Sequence, residues 1–320
     1  MSPTPMSRKI VVTGGAGFIG SALARALVAR GDDVSVLDNL STGKRENLQD
    51  LAGQLAVVEG DILDAALLDR VFAGADVVFH EAAIPSVPRS LAAPLPSHNA
   101  NATGTLNVLE AARRCQVRRV VYAGSSSAYG EPPSLPVVET MAPAPLSPYA
   151  VSKLAGEHYL RVYARVFGVQ TVTLRYFNVF GPRQDPNSQY AAVIPRFITA
   201  ALDGRSPTVY GDGEQSRDFC FIDNVVEANL RAADADGASG KVFNIACGTG
   251  TSLNRVLALL GEALHRPIAA HYEPGRAGDV RHSLADISQA KTVLGYTAAV
   301  NFVAGLGKTL AWFQEQRSRP

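Results

Sequence analysis

The stretch KIVVTGGAGFIG, Lys9–Gly20, decides the fold of this 320-residue chain. A short β-branched run leads directly into glycines at positions 14, 17 and 20, and a helical pattern begins at Phe18. Glycine at this spacing between a strand and a helix permits a tight turn and lets backbone amides approach a pyrophosphate at the positive end of the helix. The stretch therefore predicts a dinucleotide-binding loop, with ligand contacts expected from Gly14, Gly17, Phe18, Ile19 and Gly20.

Asp38 ends the second predicted strand, 18 residues beyond the last of these glycines. A carboxylate at this place binds the hydroxyls of an adenosine ribose and repels the 2′-phosphate of NADP. Lys44 and Arg45, which would favour NADP, lie further along the loop. We therefore predict NAD as the cofactor. Asp61 and Ile62, at the end of the third predicted strand, are expected at the adenine, with a strand-end cap as the alternative.

Short apolar runs alternate with helical patterns from the first strand to about Leu174. The predicted strands are KIVVTG, DVSVLD, LAVVEG, DVVFHEAA, VRRVVYAGS and VQTVTLRYF, and the predicted helices are Phe18–Arg30, Ala65–Phe72, Leu95–Cys115 and Pro148–Phe167. This alternation indicates parallel βαβ units with right-handed crossovers, and strands apolar on both faces are typical of a sheet covered by helices on each side. We predict an α/β fold with a doubly wound parallel sheet of the Rossmann type.

The second half of the chain begins with segments that are rich in turn-forming residues. Turn signals dominate GPRQDPNSQY and PTVYGDGEQSRDF, which flank a predicted helix at Ala191–Leu202. FIDNVVEANLRAA and KVFNIACG then resume helix and strand patterns, so we expect the chain to return to the sheet. We predict an NAD-binding domain of residues 1–176 and 219–246, and a smaller C-terminal substrate-binding lobe of residues 177–218 and 247–320. The ligand is expected between them, at the carboxyl ends of the strands.

Composition narrows the class of partner. Thirty basic and 29 acidic residues give a net charge of +1 without a basic tract, which argues against nucleic acid or an anionic membrane surface. No apolar run approaches the ~20 residues of a membrane span, and the polar start of the chain leaves no room for a signal peptide. Cys115, Cys220 and Cys247 are few and widely spaced, as is typical of reduced thiols. We expect a cytoplasmic protein that binds a small molecule.

HEAAI, His80–Ile84, is not a zinc motif, because H-E-x-x-H requires a second histidine where this chain has Ile84. We predict no metal site, and we expect His80 to pack at the end of its strand.

SPYAVSK, Ser147–Lys153, carries the second chemical signal. Serine at the N-cap and Pro148 in the first turn place Tyr149 and Lys153 four residues apart on one helical face. An ammonium near a phenol favours the phenolate and is expected to lower the tyrosine pKa from about 10. Tyr149 would then take a proton from a substrate hydroxyl while NAD takes hydride from the same carbon. The alternative is a Tyr–Lys pair that only packs on an amphipathic helix.

TGGAGFIG, SSSAYG, YAVSK and RYFNVFGP together resemble the extended short-chain dehydrogenase/reductase family, in its nucleotide-sugar branch, over nearly the whole chain. The resemblance implies that Tyr149 and Lys153 move the proton and bind the nicotinamide ribose. It implies that Ser125, four positions before Tyr129, assists them. Further contacts to NAD are implied for Asn39, Ala82, Ala83, Asn101 and Tyr176.

The resemblance also bears on the sugar chemistry. Members that dehydrate their sugar carry an Asp-Glu pair, and decarboxylating members carry Glu in the second place, where this chain has Ser126 and Ser127. A serine hydroxyl is too weakly basic to remove a proton from C5. What remains is oxidation at C4, rotation of the ketone and return of hydride, which is a 4-epimerisation without net redox change. NAD would stay bound throughout.

A substrate site is implied by the same resemblance. The Asn178 amide is expected to hold a phosphate or a sugar hydroxyl. Two guanidiniums would converge on a diphosphate, with a carboxylate on a ribose hydroxyl; surface salt bridges are the alternative for the arginines. Apolar side chains after Tyr190 would pack around uracil, or serve as core. The expected substrate-binding residues are Ser125, Ser126, Tyr149, Asn178, Ala192, Val193, Phe197, Tyr210, Arg217, Arg276, Asp279 and Ser283.

Within the family, FNVFGPRQDPN, YAAVIP and GDVRHS are similar to the corresponding runs of bacterial UDP-N-acetylglucosamine 4-epimerases. Epimerases restricted to non-acetylated sugars commonly have a bulky residue in place of Ser283, and serine leaves volume for a 2-acetamido group. We expect UDP-GlcNAc and UDP-GalNAc as substrates. UDP-glucose and UDP-galactose remain an alternative, alone or in a bifunctional enzyme. UDP-glucuronate is less consistent with the sequence, because uronate epimerases usually have threonine in place of Asn178.

A non-catalytic NAD-binding regulator is a hypothesis of a different class. The complete set of Ser125, Tyr149 and Lys153 argues against it, because a sensor would not need these residues. The predicted helices Leu95–Cys115 and Pro148–Phe167 resemble those that form a four-helix dimer interface in the family. We therefore predict a homodimer.

Overall fold

The doubly wound sheet forms where the sequence predicts it. The structure, a computed structural model, describes residues 7–186, 192–275 and 280–318. Seven parallel strands of these residues are hydrogen-bonded in the order β3–β2–β1–β4–β5–β6–β11. They are β1 Lys9–Thr13, β2 Asp33–Asp38, β3 Ala56–Glu59, β4 Val77–His80, β5 Arg119–Ser125, β6 Gln170–Tyr176 and β11 Lys241–Ile245. The order confirms the predicted Rossmann-type sheet, including the late return of the chain as β11 beside β6.

Helices cover both faces of this sheet. They are α1 Phe18–Ala29, α2 Ala65–Phe72, α3 Val87–Ala92, α4 Pro94–His98, α5 Gly104–Arg114, α6 Pro148–Val166 and α8 Ile222–Asp234. Ile10 and Val12 contribute to the core on one face and Val11 to the core on the other, as the twofold alternation of a strand requires. β3 departs from the expectation of strands buried on both faces: Val57 is 44% exposed, because β3 lies at the edge of the sheet.

The predicted helix Leu95–Cys115 is a rod with an irregular middle. It begins with α4, passes through a π-helical turn at Asn99–Thr103 and continues as α5. The fully buried Asn101 in this turn accepts a hydrogen bond from the Ile84 amide, 2.8 Å, and donates to Ser152 Oγ, 3.1 Å. The wider turn thus ties the rod to the loop after β4 and to α6, and π turns of this kind are frequent at functional sites.

The remaining strands and α-helices lie mostly around a separate aromatic core. Phe180, Phe197, Phe219 and Phe302 are buried there, and the ring centroids of Phe180 and Phe302 are 5.3 Å apart. The elements are β7 Val179–Phe180, α7 Val193–Leu202, β8 Thr208–Tyr210, β9 Ser216–Asp218, β10 Cys220–Phe221, β12 Gly250–Ser252, α9 Leu253–Ala263, β13 His271–Glu273 and α10 Phe302–Ser318. The sequence analysis did not anticipate α10. Among the described residues, no helix has both the length and the apolar character needed to cross a membrane.

Candidate active site

A cavity of about 1620 Å³ opens at the carboxyl ends of the strands. It lies at the topological switch point of the sheet, between β1 and β4. From β1 the chain continues to β2 and β3 on one side, and from β4 it continues to β5 and β6 on the other. Doubly wound folds bind ligands at this point. The predicted site residues that line it are Gly14, Gly17, Phe18, Ile19, Gly20, Asp38, Asn39, Asp61, Ile62, Ala82, Ala83, Ser125, Ser126, Tyr149, Lys153, Tyr176, Asn178 and Ala192.

The glycine loop is closely packed between β1 and α1. Gly14 has a φ of +69°, and a Cβ atom on it would lie 2.6 Å from the backbone of Ala82. A Cβ atom on Gly20 would lie 2.2 Å from the carbonyl oxygen of Gly14. Gly17 is the N-cap of α1 and offers no side chain, so the first amides of the helix have no side-chain partner. The loop therefore fits an anionic pyrophosphate at the helix N-terminus.

The carboxylate of Asp38 is buried at the edge of this loop. Its oxygens accept hydrogen bonds from the amides of Ala16, 2.9 Å, and Leu40, 2.8 Å, while burial raises its pKa. Both bases of the following loop are engaged with carboxylates: Lys44 with Asp185 at 2.8 Å and Arg45 with Glu59. Because both basic side chains pair with carboxylates of the chain, they do not form a site for the 2′-phosphate of NADP, which favours NAD.

Two other predicted cofactor positions have protein partners of their own. Asp61 accepts hydrogen bonds from Asn39 Nδ2, 2.8 Å, and from the Leu63 amide, 2.9 Å, so the strand-end cap is present and the side chain also reaches the cavity. Asn101 lies behind the cavity wall, in the contacts with Ile84 and Ser152 described above, and holds the wall rather than forming its surface.

The start of α6 follows the sequence prediction. Ser147 Oγ accepts a hydrogen bond from the Ala150 amide, 3.2 Å, and Pro148 occupies the first turn. The amide of Tyr149 donates to Ser90 Oγ at 3.0 Å, and Ser90 in turn donates to the carbonyl of Val87 at 2.7 Å. Ser90 is fully buried. It links α3, in the cavity wall, to the backbone of Tyr149, a role that no sequence pattern indicated.

Ser125, Tyr149 and Lys153 all line the cavity. Ser125 Oγ lies 2.8 Å from Ser127 Oγ, and a hydrogen bond with Ser125 lowers the pKa of Tyr149. Burial has the larger effect, however, and the pKa of Tyr149 is raised. The expectation of a lowered tyrosine pKa is therefore not met in the chain alone, because the spacing of Tyr and Lys carries no information about loss of hydration.

Lys153 is buried, and its ammonium lies 4.3 Å from the centroid of the Tyr122 ring. Burial lowers its pKa to about 8, while the negative charge of Glu81 opposes that shift. His80 is fully buried between Thr13 Oγ1, 2.8 Å, and Thr105 Oγ1, 2.9 Å, which agrees with the packing role expected of it. Glu81 lines the cavity and was not singled out by the sequence analysis.

The predicted substrate residues divide into three groups. Asn178 lines the cavity, and its Nδ2 donates to Ser283 Oγ at 3.0 Å and to the Asp218 carbonyl at 3.2 Å. Ser283 thus holds Asn178 from behind. The described lining of the cavity does not include Val193, Phe197, Tyr210 or Arg217; Phe197 is in the aromatic core, and Arg217 donates to the carbonyls of Ser216 and Arg281. Tyr190, Arg276 and Asp279 lie outside the described residues.

Comparison with known proteins gives matches over most of the chain. The profile described as the NAD dependent epimerase/dehydratase family matches residues 10–246. The chain is 39% identical over 312 residues to a UDP-glucose 4-epimerase of Mycolicibacterium smegmatis, which covers 96% of this chain and 99% of that protein.

Two solved structures are similar along nearly their whole length. One is UDP-N-acetylglucosamine 4-epimerase from Methanobrevibacter ruminantium M1 in complex with UDP-N-acetylmuramic acid: 41% identity, TM-score 0.93, with 97% of this chain and 99% of that chain covered. The other is UDP-glucuronic acid 4-epimerase from Bacillus cereus in complex with UDP-glucuronic acid and NAD: 34% identity, TM-score 0.89, with 96% and 99% covered.

Proposed function

This chain belongs to the NAD dependent epimerase/dehydratase family, and from that premise we propose that it catalyses the reversible 4-epimerisation of UDP-GlcNAc and UDP-GalNAc. NAD is the cofactor of the family, as predicted from Asp38. The observation that carries the proposal is that Ser125, Tyr149 and Lys153 line the same cavity as the glycine loop. Ser126 and Ser127 stand where dehydrating members of the family carry carboxylates, and a serine hydroxyl is too weakly basic to start an elimination.

The residues of the chain divide the work of the reaction. Gly14, Gly17, Gly20 and Asp38 would hold NAD, which when bound would supply reversible hydride transfer at C4 of the sugar. Tyr149 Oη accepts the proton of the C4 hydroxyl and gives it back, and Ser125 Oγ orients that hydroxyl. The charged Lys153 stabilises the phenolate form of Tyr149.

The preference for an acetylated sugar is supported by Ser283. Its side chain is small, and it accepts a hydrogen bond from Asn178, a residue that lines the cavity. The solved structure that bears the name UDP-N-acetylglucosamine 4-epimerase is 41% identical to this chain. UDP-glucose and UDP-galactose remain the second candidate pair, because the Mycolicibacterium relative bears the name UDP-glucose 4-epimerase.

Product analysis tests the choice of reaction and substrate. The purified protein is incubated with UDP-GlcNAc and, separately, with UDP-glucose, and the C4 epimers are followed by NMR. We expect UDP-GalNAc from the first substrate, formed faster than UDP-galactose from the second. Faster turnover of UDP-glucose would favour the second candidate, and the absence of an epimer from either would falsify the assignment.

We also propose that the protein is a homodimer. Val151, Tyr159, Val162 and Val166 are exposed along one face of α6, at spacings of eight, three and four residues. This apolar stripe, defined by those four residues, suits packing against the same helix of a second copy. The free thiols of Cys115, Cys220 and Cys247 support the expectation of a reducing cytoplasm.

A further inference from the structure

Two ion pairs connect the loop after β7 with the loop after β2. Residues 181–186, which follow β7, are called the bridging loop below. Its Asp185 Oδ2 lies 2.8 Å from Lys44 Nζ, and its Arg183 Nη2 lies 3.2 Å from Asp50 Oδ2. Each loop thus supplies one cation and one carboxylate, and all four residues line the cavity.

The loop after β2 is attached to the glycine loop. The Lys44 amide donates to the Ala16 carbonyl at 3.0 Å, and Asn47 Nδ2 donates to the same oxygen at 2.9 Å. Asp50 is held to α1 by Arg25, whose Nε and Nη2 donate to its two carboxylate oxygens at 2.7 and 2.8 Å. The bridging loop therefore contacts residues that are bonded to the loop expected to hold the pyrophosphate of NAD.

The bridging loop is held in shape by its own hydrogen bonds. The Gln184 amide donates to the carbonyl of Gly181 at 3.4 Å, and Gln184 Nε2 donates to the carbonyl of Val179 at 3.0 Å. Arg183 has a φ of +68°, a left-handed conformation that a residue other than glycine seldom adopts and that persists where surrounding contacts maintain it. These contacts present Arg183 and Asp185 to their partners on the other loop.

The two ion pairs are partly exposed. The side chains of Lys44 and Asp185 are 53% and 34% exposed, and those of Arg183 and Asp50 are 32% and 46% exposed. Ion pairs at this level of exposure contribute little to the stability of a fold. A weak contact between two loops can open and close while the fold stays intact, which is what the entry and release of a ligand require.

We propose that the bridging loop is part of the cofactor site: its two ion pairs with the loop after β2 close the cavity beside the glycine loop and slow the release of NAD. Arg183 and Asp185 act here through the contact between the loops, and neither is a catalytic residue. The purpose of this closure rests on the proposed function, because a 4-epimerase returns hydride from the same cofactor that received it.

The direct test is the rate of NAD release from Asp185→Asn. Protein loaded with NAD that carries a radioactive label in its adenine is mixed with excess unlabelled NAD, without sugar, and the label retained on the protein is counted after filtration. Asparagine has nearly the shape of aspartate but carries no charge, so it weakens the contact with Lys44. We expect release roughly threefold faster than from the wild type, the size of effect that one exposed ion pair can give.

The direction of this change separates a contact between loops from a direct effect of charge on the cofactor. Removal of a carboxylate near an anionic pyrophosphate would by itself slow release, whereas loss of the ion pair speeds it. The matched control is Asp223→Asn, which weakens another exposed Lys–Asp pair, 3.3 Å from Lys308 Nζ to Asp223 Oδ2, and should release NAD at the wild-type rate. Asp223 and Lys308 are not among the described residues that line the cavity.

An exchange of the two charges gives a second test. Asp185→Lys places two lysines opposite each other and should speed release. Addition of Lys44→Asp to that variant restores a pair of opposite charges and should return release toward the wild-type rate. If Lys44 served instead as a direct contact of the pyrophosphate, the added substitution would speed release further.

Release from Asp185→Asn at the wild-type rate or more slowly overturns the inference. Faster release from the double variant than from Asp185→Lys alone also overturns it, and this comparison decides if Asp185→Asn does not fold. Because release is measured without sugar, a failure of epimerisation contradicts the proposed function and leaves the result for the bridging loop distinct.

Discussion

At the scale of single residues, proton transfer in the proposed reaction depends on the hydroxyl of Tyr149. Tyr149→Phe removes the atom that carries the proton but leaves the ring and the backbone bond to Ser90 in place. We expect a loss of turnover of at least roughly 10³-fold, within the range of general acid–base catalysis, with the content of bound NAD unchanged. Tyr272→Phe, at an exposed tyrosine in β13, is the matched control. Loss of NAD from Tyr149→Phe would mean that the tyrosine is structural.

Ser90 provides a second residue-scale prediction. Ser90→Ala leaves the Tyr149 amide at the start of α6 without its partner, and a bond of this kind contributes about 1 kcal/mol. We expect kcat to fall roughly five- to tenfold, with NAD content unchanged, when initial rates are compared with those of Ser288→Ala at an exposed site. Equal rates for the two variants would show that α3 does not position Tyr149.

The sequence indicated the roles of residues that lie close together in the chain, but it did not indicate contacts between residues that only folding brings together. Ser147, Tyr149 and Lys153 belong to one short helical segment, so their spacing alone placed them on one face. Glu81 and Ser90 accept hydrogen bonds from residues 95 and 59 positions away, respectively, and no spacing rule reports such contacts. Burial of Tyr149 likewise depends on the whole cavity, which is why the expected direction of its pKa was not found.

At the scale of elements, the strand–loop–helix unit around the glycines decides cofactor binding. Gly20→Ala would place a Cβ atom 2.2 Å from the Gly14 carbonyl and push the loop away from a pyrophosphate. We expect the purified variant to lose most of its NAD, measured by absorbance after denaturation. Gly307→Ala is the matched control: this glycine also lies in a helix, and its Cβ would meet nothing within 4 Å. NAD retained by Gly20→Ala would contradict the role assigned to the loop.

The elements themselves were predictable to different degrees. The strands of the sheet and the helices α1, α2 and α6 follow strong apolar patterns, and their limits differ from the predicted ones by only a few residues. The π turn at Asn99–Thr103 could not be read from the sequence, because it depends on the contact of Asn101 with the loop after β4. Arg217 donates to the backbone carbonyls of Ser216 and Arg281, beside the bridge between Ser216 and His282, a contact that no sequence pattern indicated. Its expected contact with a diphosphate stays a prediction.

At the scale of the whole molecule, the apolar stripe on α6 predicts a dimer. Val166 is 64% exposed, and Val166→Glu would place a charge in the contact between two copies, where a buried unpaired charge is strongly unfavourable. Light scattering at micromolar concentration should give twice the chain mass for the wild type and a reduced mass for the variant. Val303→Glu, an equally exposed site on α10, should remain dimeric. A monomeric wild type would contradict the prediction.

In the proposed reaction, hydride would pass from C4 to one bound NAD and return to the same carbon, while Tyr149 and Lys153 handle the proton. The most direct test is the conversion of UDP-GlcNAc that carries deuterium at C4, in ordinary water, with the product followed by NMR. We expect the product, UDP-GalNAc, to retain deuterium at C4. Replacement of that deuterium by hydrogen, or a 4-keto-6-deoxy product in place of the epimer, would contradict it.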